Sequence, residues 1–173
     1  MVGRFTPQKN YPRLLKTVKR LKEDNIDIDL WILGDGEQKE MIENYILDNH
    51  LEDCIKLFGF QSNPYPYMRE ADLLVCSSNY EGYSTFITEG LILGKPIVTT
   101  DVSGMKELLG NNEYGIVTDN NDDSFYSGLK KIIIEKELLK KYIDKSIKRG
   151  IFFSKQNLVG ENEQLFKSVI KNN

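Results

Sequence analysis

The sequence predicts a three-layer α/β/α domain, in which helices cover both faces of a doubly wound parallel sheet and extra helices follow at the C-terminal end. Short apolar runs alternate with longer segments whose apolar residues recur at helical spacing. Each short run is nearly continuous in apolar residues, as expected for parallel strands that helices cover on both faces. The length of 173 residues and the hydrophobic fraction of 40% fit one domain with a substantial core.

The first third of the chain is expected to hold two helices and two strands. Residues 1–4 have the pattern of a strand entering a turn, so we expect most of that strand to precede this sequence. Asn10 and Pro12 mark a helix start, and the next strands are expected at 29–33 and 55–58, with a helix over 38–49 between them. The buried stripe of the first helix is expected to be Leu14, Leu15, Val18 and Leu21.

The middle and the end of the chain continue the alternation. A turn-rich loop containing Pro64 and Pro66 is expected before the central strand, residues 73–76. A helix then opens near Ser84 and Thr85. The remaining elements are expected to be strands at 97–100 and 115–117, a short helix at 103–109, and helices over about 123–135, 136–148 and 155–171.

Composition disfavours several classes of partner. The net charge is −3 and the lysine pairs are scattered along helix faces, so a nucleic acid is not an expected ligand. No apolar run reaches the ~18 residues that a membrane-spanning helix needs, and the N-terminus lacks a signal-peptide pattern. Cys54 and Cys76 are isolated beside apolar strands, which favours buried free thiols and a cytosolic chain.

The segment after the central strand has the pattern of an anion site. Gly82 turns the chain, and Ser84 and Thr85 open a helix, whose first-turn N–H groups lack partners within the helix. Glu81 and Glu89 flank this turn at a spacing of eight. The arrangement suits a ligand with a negative centre and hydroxyl groups on either side.

Other polar residues are expected at the same edge of the sheet. Arg4, Gly34, Gly59 and Glu81 all follow predicted strands, and ligands of doubly wound domains bind beyond the C-terminal strand ends. An arginine can bind two phosphate oxygens and a lysine acts as a point charge, so Arg4 and Lys9 at this edge are candidates for a diphosphate clamp. The alternative for these two cations is surface solubility.

The same residues resemble a known family. Glu81-Gly82-Tyr83, with Glu89 eight residues after Glu81 and Gly94-Lys95-Pro96 beyond it, is similar to the signature of retaining glycosyltransferases of family four, which have the GT-B fold. The similarity extends over Ala71–Leu109 and, at the N-terminus, over Gly3-Arg4 and Lys9. This chain has Lys9-Asn10 where the family usually has Lys-Gly.

The resemblance implies one half of a GT-B fold, a Rossmann-like domain that binds a nucleotide sugar over residues 1–173, the acceptor domain being absent from this sequence. It implies that Arg4 and Lys9 hold the diphosphate, that Glu81 contacts the transferred hexose, and that Glu89 accepts hydrogen bonds from the ribose. It also implies that the leaving phosphate deprotonates the acceptor, without a protein nucleophile. The other expected ligand-binding residues are Gly3, Gly34, Phe58, Gly59, Gly82, Tyr83, Ser84, Thr85 and Phe86.

The implied donor is a UDP-sugar or GDP-sugar, with no cofactor and no metal. The implied acceptor is a glycan or glycolipid of bacterial surface polysaccharide synthesis. The absent half would bind this acceptor and would make any contact with a membrane. The implied full-length enzyme is cytoplasmic and peripheral at the inner face of the membrane. Residues 151–153 and the helix up to 170 resemble the family's return crossing onto the N-terminal domain.

Several alternatives stay open or are disfavoured on sequence grounds. Asp27-Ile28-Asp29 resembles a metal motif of another glycosyltransferase fold but precedes its strand, at the wrong end of the sheet. Gly34-Asp35-Gly36 lacks the third glycine of a dinucleotide site, and the only histidine, His50, ends a helix. A glycosidase pair fits poorly with Glu89 on a helix. A non-catalytic nucleotide-binding module and a nucleotide-sugar epimerase of the same fold remain open.

Overall fold

The computed structural model describes residues 1–153, which form alternating helices and parallel strands. A 3-10 turn at Pro7–Lys9 precedes the first helix. The helices are α1 (Tyr11–Glu23), α2 (Lys39–Asp48), α3 (Tyr65–Glu70), α4 (Thr85–Ile92), α5 (Met105–Leu109), α6 (Asp122–Ile134) and α7 (Lys136–Phe152). The strands are β1 (Leu30–Leu33), β2 (Ile55–Gly59), β3 (Leu74–Cys76), β4 (Ile97–Thr100) and β5 (Ile116–Thr118).

All pairings among these strands are parallel. One sheet pairs β1 with β2, and a second has the order β3-β4-β5. Val2 forms a single parallel bridge to Leu33 of β1, so the N-terminal residues run as a short extra strand beside it. The C-terminal ends of the paired strands in each sheet therefore lie at one edge, as doubly wound topology requires.

Helices cover both faces of the sheet layer, which confirms the predicted fold class. Along β3, the side chain of Val75 packs in one core cluster, with α1, α2 and α6. Leu74 and Cys76, its neighbours in sequence, pack in the other cluster, with α3, α4 and α5. Successive side chains of a strand point to opposite faces, so this alternation places a hydrophobic core on each side of β3.

The predicted loop around Pro64 and Pro66 contains a helix, and this prediction was wrong. Helix α3 has Pro66 in its first turn. A backbone N–H at this position would have no partner within the helix, so the lack of an N–H in proline costs no hydrogen bond. Met68 is buried on its inner face, and this burial holds the helix against the sheet. The two prolines therefore mark a helix start and not an irregular loop.

The other predicted boundaries differ from the structure by a few residues. The short helix α5 begins two residues later than expected because Gly104, in the left-handed region at φ 79°, precedes it. Helix α7 continues to Phe152, so Ile151 belongs to its last turn. The predicted helix over 155–171 lies outside the described residues. Cys76 is buried as predicted, whereas Cys54 is only partly buried, and both are free thiols.

No helix within residues 1–153 is long and apolar enough to cross a membrane. The structure has a cavity of about 580 Å³ that both sheets line, with Trp31 from β1 and Leu74 from β3 in its wall. None of the sequence-predicted site residues lines this cavity. The candidate site is elsewhere, at the C-terminal strand ends.

Candidate functional site at the carboxyl edge of the sheets

The loops that follow the strands are joined to one another by backbone hydrogen bonds. The amide of Gly34, after β1, donates to the carbonyl of Gly59 at the end of β2 (2.8 Å). The amide of Phe5 donates to the carbonyl of Asp35 (2.8 Å). The loop after Val2, the loop after β1 and the end of β2 therefore form one continuous surface, and Arg4 lies on it.

A second group of bonds joins the N-terminal loop to the loop after β3. The amide of Asn79 donates to the carbonyl of Gln8 (2.8 Å), and its side-chain amide donates to the carbonyl of Pro7 (3.0 Å). The side-chain amide of Asn10 donates to the side-chain oxygen of Asn79 (2.8 Å). These contacts bring Lys9 and Glu81, which are 72 residues apart in sequence, to the same place.

Lys9 and Glu81 form an ion pair. The Nζ atom of Lys9 lies 2.6 Å from Oε1 of Glu81, and the side chains are 18% and 7% exposed. The hydroxyl of Ser78 donates to the same Oε1 atom (2.6 Å), and Nε2 of Gln8 donates to Oε2 (3.3 Å). The Glu81 carboxylate is thus fixed by three side chains from two loops.

Arg4 differs from Lys9 in having no ion-pair partner within residues 1–153. Its side chain is exposed. Arg4 and Lys9 both line an open pocket of about 650 Å³, together with Thr6, Pro7, Gln8, Glu37 and Tyr80. The structure brings the two predicted cations to one pocket.

The N-terminus of α4 follows Glu81 directly. Ser84 caps the helix, accepting a hydrogen bond from the amide of Ile87 (3.5 Å). The amides of Thr85 and Phe86 in the first turn make no hydrogen bond to the described part of the chain. Free amides at a helix N-terminus favour a bound anion, because the helix dipole adds positive charge there.

Phe86 is available to a ligand only through its backbone, because its ring is buried in the second core cluster. Tyr83 is 59% exposed. Gly82 is also open: a Cβ atom added there would meet no other atom within 4 Å. Gly82, Tyr83 and Thr85 are therefore exposed beside Glu81, whereas Ser84 and Phe86 are buried.

Glu89 lies one turn further along α4 and has a partner that the sequence did not predict. The hydroxyl of Tyr65, the first residue of α3, donates to Oε1 of Glu89 (3.1 Å). This hydrogen bond to the carboxylate, with its negative charge, raises the pKa of Tyr65. The bond leaves Oε2 of Glu89 without a partner among residues 1–153.

The glycines at this edge have different environments. Gly34 has φ 150°, and a Cβ atom added to it would lie 1.9 Å from the carbonyl oxygen of Gly3. Packing of the chain therefore requires glycine at this position, whatever a ligand requires. Gly59 has φ 67° and open space around it, so its backbone is accessible.

The ring of Phe58 belongs to an aromatic cluster with Trp31 and Tyr67, at centroid distances of 5.4 and 4.9 Å. The next residue but one, Phe60, is 76% exposed beyond the strand end. The ligand-binding roles of Gly3, Gly34, Phe58 and Gly59 stay predictions.

Sequence similarity identifies the family of this domain. The family model described as Glycosyl transferases group 1 matches residues 1–149. The chain belongs to this family. It is 35% identical, over 89% of its length, to the Campylobacter jejuni protein named N-acetylgalactosamine-N,N'-diacetylbacillosaminyl-diphospho-undecaprenol 4-alpha-N-acetylgalactosaminyltransferase, and covers 42% of that protein.

A second relative is the Escherichia coli protein named UDP-Gal:alpha-D-GlcNAc-diphosphoundecaprenol alpha-1,3-galactosyltransferase. This chain is 31% identical to it over 80% of its own length and covers 37% of that relative. The domain thus spans about two fifths of the length of these two relatives.

Solved structures of glycosyltransferases have the same fold. The pneumococcal O-GlcNAc transferase GtfA, solved with UDP and GlcNAc, superposes with a TM-score of 0.86 at 15% identity, over 98% of this chain and 35% of that one. The Staphylococcus aureus protein TarM superposes with a TM-score of 0.83 at 24% identity, over 96% of this chain and 34% of that one. At these identities the likeness shows the fold, which is that of GT-B glycosyltransferases.

Three residues that contact the two site glutamates were missed by sequence reasoning: Gln8, Tyr65 and Ser78. Gln8 and Ser78 contact Glu81, and Tyr65 contacts Glu89. The sequence held a usable signal for Ser78, which is a polar residue two positions after a buried strand and three residues before Glu81. The sequence held no such signal for Gln8 and Tyr65, because they contact residues that are 73 and 24 positions away in sequence.

Proposed function

We propose that this chain is the nucleotide-sugar-binding domain of a retaining glycosyltransferase. The enzyme transfers a hexosyl residue from a nucleoside-diphosphate sugar to a glycan or glycolipid acceptor in bacterial surface polysaccharide or glycolipid synthesis. The observation that supports this best is the grouping of Arg4, Lys9, Glu81 and the free N-terminus of α4 at one edge of the sheets. These groups match the charges and hydroxyls of such a donor.

The diphosphate would lie between the two cations and the first turn of α4. Arg4 has the geometry to donate two parallel hydrogen bonds to phosphate oxygens, and it has no ion-pair partner within residues 1–153. The amides of Thr85 and Phe86 supply fixed donors on the other side. All of these groups stabilise the negative charge that grows on the diphosphate as the sugar leaves, so they are electrostatic catalysts.

The sugar and the nucleoside would lie on either side of the diphosphate. Glu81 would accept a hydrogen bond from a hydroxyl of the hexose, through the oxygen that Lys9 and Ser78 leave free. Glu89 would accept hydrogen bonds from the ribose hydroxyls. The backbone at Gly34 and Gly59, beside Phe58, would follow the base. The substrate supplies the base for the reaction, since the leaving phosphate deprotonates the acceptor on the same face of the sugar.

The relatives support the substrate class. The two named above act, by their names, on undecaprenol-linked sugars, and one takes UDP-Gal. We infer a UDP-sugar or GDP-sugar donor, no metal requirement and no cofactor. The acceptor would bind to the remainder of a longer cytoplasmic enzyme, peripheral at the inner face of the membrane.

Calorimetry with UDP-, GDP- and ADP-sugars tests the proposal. The chain should bind at least one UDP-sugar or GDP-sugar, equally well in chelator and in excess magnesium. Arg4→Met should weaken binding of the matching nucleoside diphosphate about ten- to a hundred-fold, because it removes hydrogen bonds to a charged group. It should leave the weak binding of the free nucleoside unchanged.

Arg69→Met is the matched control, because Arg69 is also exposed and forms no ion pair within residues 1–153. Failure to bind any of these nucleotides would refute the proposal, and a strong magnesium requirement would refute the metal-free clamp. Mass spectrometry of the products of a longer enzyme distinguishes transfer from the two alternatives. An epimerised nucleotide sugar would indicate an epimerase, and no product would indicate a non-catalytic module.

A further inference from the structure

The Glu81 carboxylate has an asymmetric set of partners. Its Oε1 atom accepts two short hydrogen bonds, from Lys9 and Ser78, both at 2.6 Å. Its Oε2 atom accepts one longer bond, from Nε2 of Gln8 at 3.3 Å. A carboxylate oxygen has two acceptor positions, so Oε1 is saturated and Oε2 keeps one position free. Only Oε2 can receive a hydroxyl of a bound sugar without losing a contact.

The two uncharged partners are themselves held firmly. Ser78 is fully buried, and its carbonyl accepts a hydrogen bond from the hydroxyl of Thr100 on β4 (2.6 Å). Gln8 lies in the 3-10 turn Pro7–Lys9, and its side chain donates a second bond to the carbonyl of Tyr80 (3.2 Å). The orientation of the Glu81 carboxylate is therefore set by the buried sheet on one side and by the N-terminal loop on the other.

We propose that Ser78 and Gln8 are positioning residues that fix the orientation of Glu81, so that the free position on its Oε2 atom faces the hexose of the donor. Ser78 holds Oε1 in place, and Gln8 directs Oε2. This inference rests on the proposed function, in which Glu81 contacts the sugar. It predicts that changes at Ser78 and Gln8 lower the affinity for the donor sugar more than the affinity for the nucleoside diphosphate.

The test compares two affinities for each variant, measured by calorimetry. One is the affinity for UDP, and the other is for whichever of UDP-galactose, UDP-glucose and their N-acetyl derivatives the parent chain binds most tightly. Ser78→Ala should lower the UDP-sugar affinity about tenfold, since it removes a hydrogen bond to a charged group, and should change the UDP affinity less than twofold. A merely structural role would lower both affinities together.

Gln8 offers a sharper series, because its side chain is only partly buried and its variants should fold. Gln8→Leu removes the bond to Oε2, whereas Gln8→Glu places a second negative charge beside it. The ratio of the UDP-sugar affinity to the UDP affinity should therefore fall in the order parent, Gln8→Leu, Gln8→Glu. If only side-chain packing mattered, Gln8→Glu would have the smaller effect or the two variants would be equal, because glutamate is closer in shape to glutamine than leucine is.

Ser146→Ala is the control. Ser146 is also fully buried and donates to a backbone carbonyl, that of Tyr114 (3.3 Å), but it lies on α7. It should leave both affinities unchanged. If the parent binds the UDP-sugar while Ser78→Ala and both Gln8 variants behave like Ser146→Ala, the positioning role is wrong and the proposed function stands. If the parent binds none of the probes, the proposed function fails first.

Discussion

Lys9 and Arg4 are both cations of one pocket, yet their charges contribute differently. Lys9 is neutralised by Glu81 at 2.6 Å, so the pair presents a dipole to an approaching anion. Arg4 has no such partner within residues 1–153 and presents a full charge. In the proposed function, long-range attraction of a diphosphate would therefore depend mainly on Arg4, whereas Lys9 would contribute once a bound phosphate competes with Glu81 for its ammonium group.

Glu89→Ala should weaken the binding of UDP about ten- to a hundred-fold, because it removes the carboxylate that we propose accepts hydrogen bonds from the ribose. Calorimetry with UDP measures this, and the difference between variant and parent should disappear with 2',3'-dideoxy-UDP. Glu40→Ala is the matched control, since Glu40 is an exposed helical glutamate on α2. Equal UDP affinities for Glu89→Ala and the parent would remove Glu89 from the site.

The charged residues of the site were predictable and their supporting residues were not. Arg4, Lys9 and Glu81 follow strands that the apolar pattern shows, so parallel topology is enough to group them. The ion pair between Lys9 and Glu81 depends on the side-chain rotamers of two residues that lie on different loops, 72 positions apart in sequence. No local sequence pattern contains this information. The same is true of the bond from Tyr65 to Glu89.

At the scale of elements, the start of α1 fixes the loop that contains Lys9. Asn10 caps α1 by accepting from the amide of Arg13 (3.2 Å), and its own backbone is left-handed at φ 47°. Arg13 is buried on α1 and donates to the carbonyl of Ser77 (3.2 Å) and to the side chain of Asn120 (2.7 Å). The helix thus joins the loop after β3 to the loop after β5.

Asn10→Ala should lower the free energy of unfolding by about 1 kcal/mol for the lost cap and by roughly 1–2 kcal/mol more for the left-handed backbone. Asn10→Gly should cost much less, because glycine adopts this conformation without strain and is a tolerated cap. Urea unfolding of the two variants and the parent measures both effects. If Asn10→Gly were as unstable as Asn10→Ala, the side-chain bond to Asn79 would matter more than the backbone conformation.

Gly150→Ala should destabilise the domain by roughly 1–3 kcal/mol, because it forces α7 away from α4. A Cβ atom at Gly150 would lie 2.1 Å from the carbonyl oxygen of Leu91, a backbone atom that cannot move aside alone. Alanine favours a helix over glycine by about 1 kcal/mol, so a net loss of stability would show that the clash dominates. Thermal unfolding is the measurement, and Asp144→Ala, on the exposed face of α7, should have little effect.

The helices and strands show where sequence patterns are enough to predict secondary structure. Strands β1 to β5 are short apolar runs, and each was found within about one residue because a buried parallel strand has few alternatives. Helix α3 was missed because Pro64 and Pro66 indicate a turn as readily as a helix start, and only the burial of Met68 decides between them. Local pattern fails where tertiary packing chooses between two uses of the same residue.

In the whole molecule, the residues that stabilise the fold lie apart from the residues of the candidate site. Two hydrophobic clusters lie on opposite faces of the sheets, while the candidate site occupies the loops at one edge. Substitutions such as Arg4→Met at this edge remove no core contact, so they should change affinity without changing the midpoint of unfolding. The site can therefore be tested with folded variants.

The last prediction concerns transfer: this chain alone should bind a UDP-sugar or GDP-sugar and transfer no sugar. Bringing the acceptor to the anomeric carbon contributes roughly 7–11 kcal/mol of barrier lowering, and the proposed function divides the two substrates between two domains. This chain covers 34% of TarM and 35% of GtfA. It should be incubated with radiolabelled UDP- and GDP-sugars and a panel of lipid-linked and oligosaccharide acceptors, with calorimetry confirming donor binding in the same buffer. Sustained acceptor-dependent turnover would show that this single α/β unit positions both substrates and that the division between two domains does not apply to it.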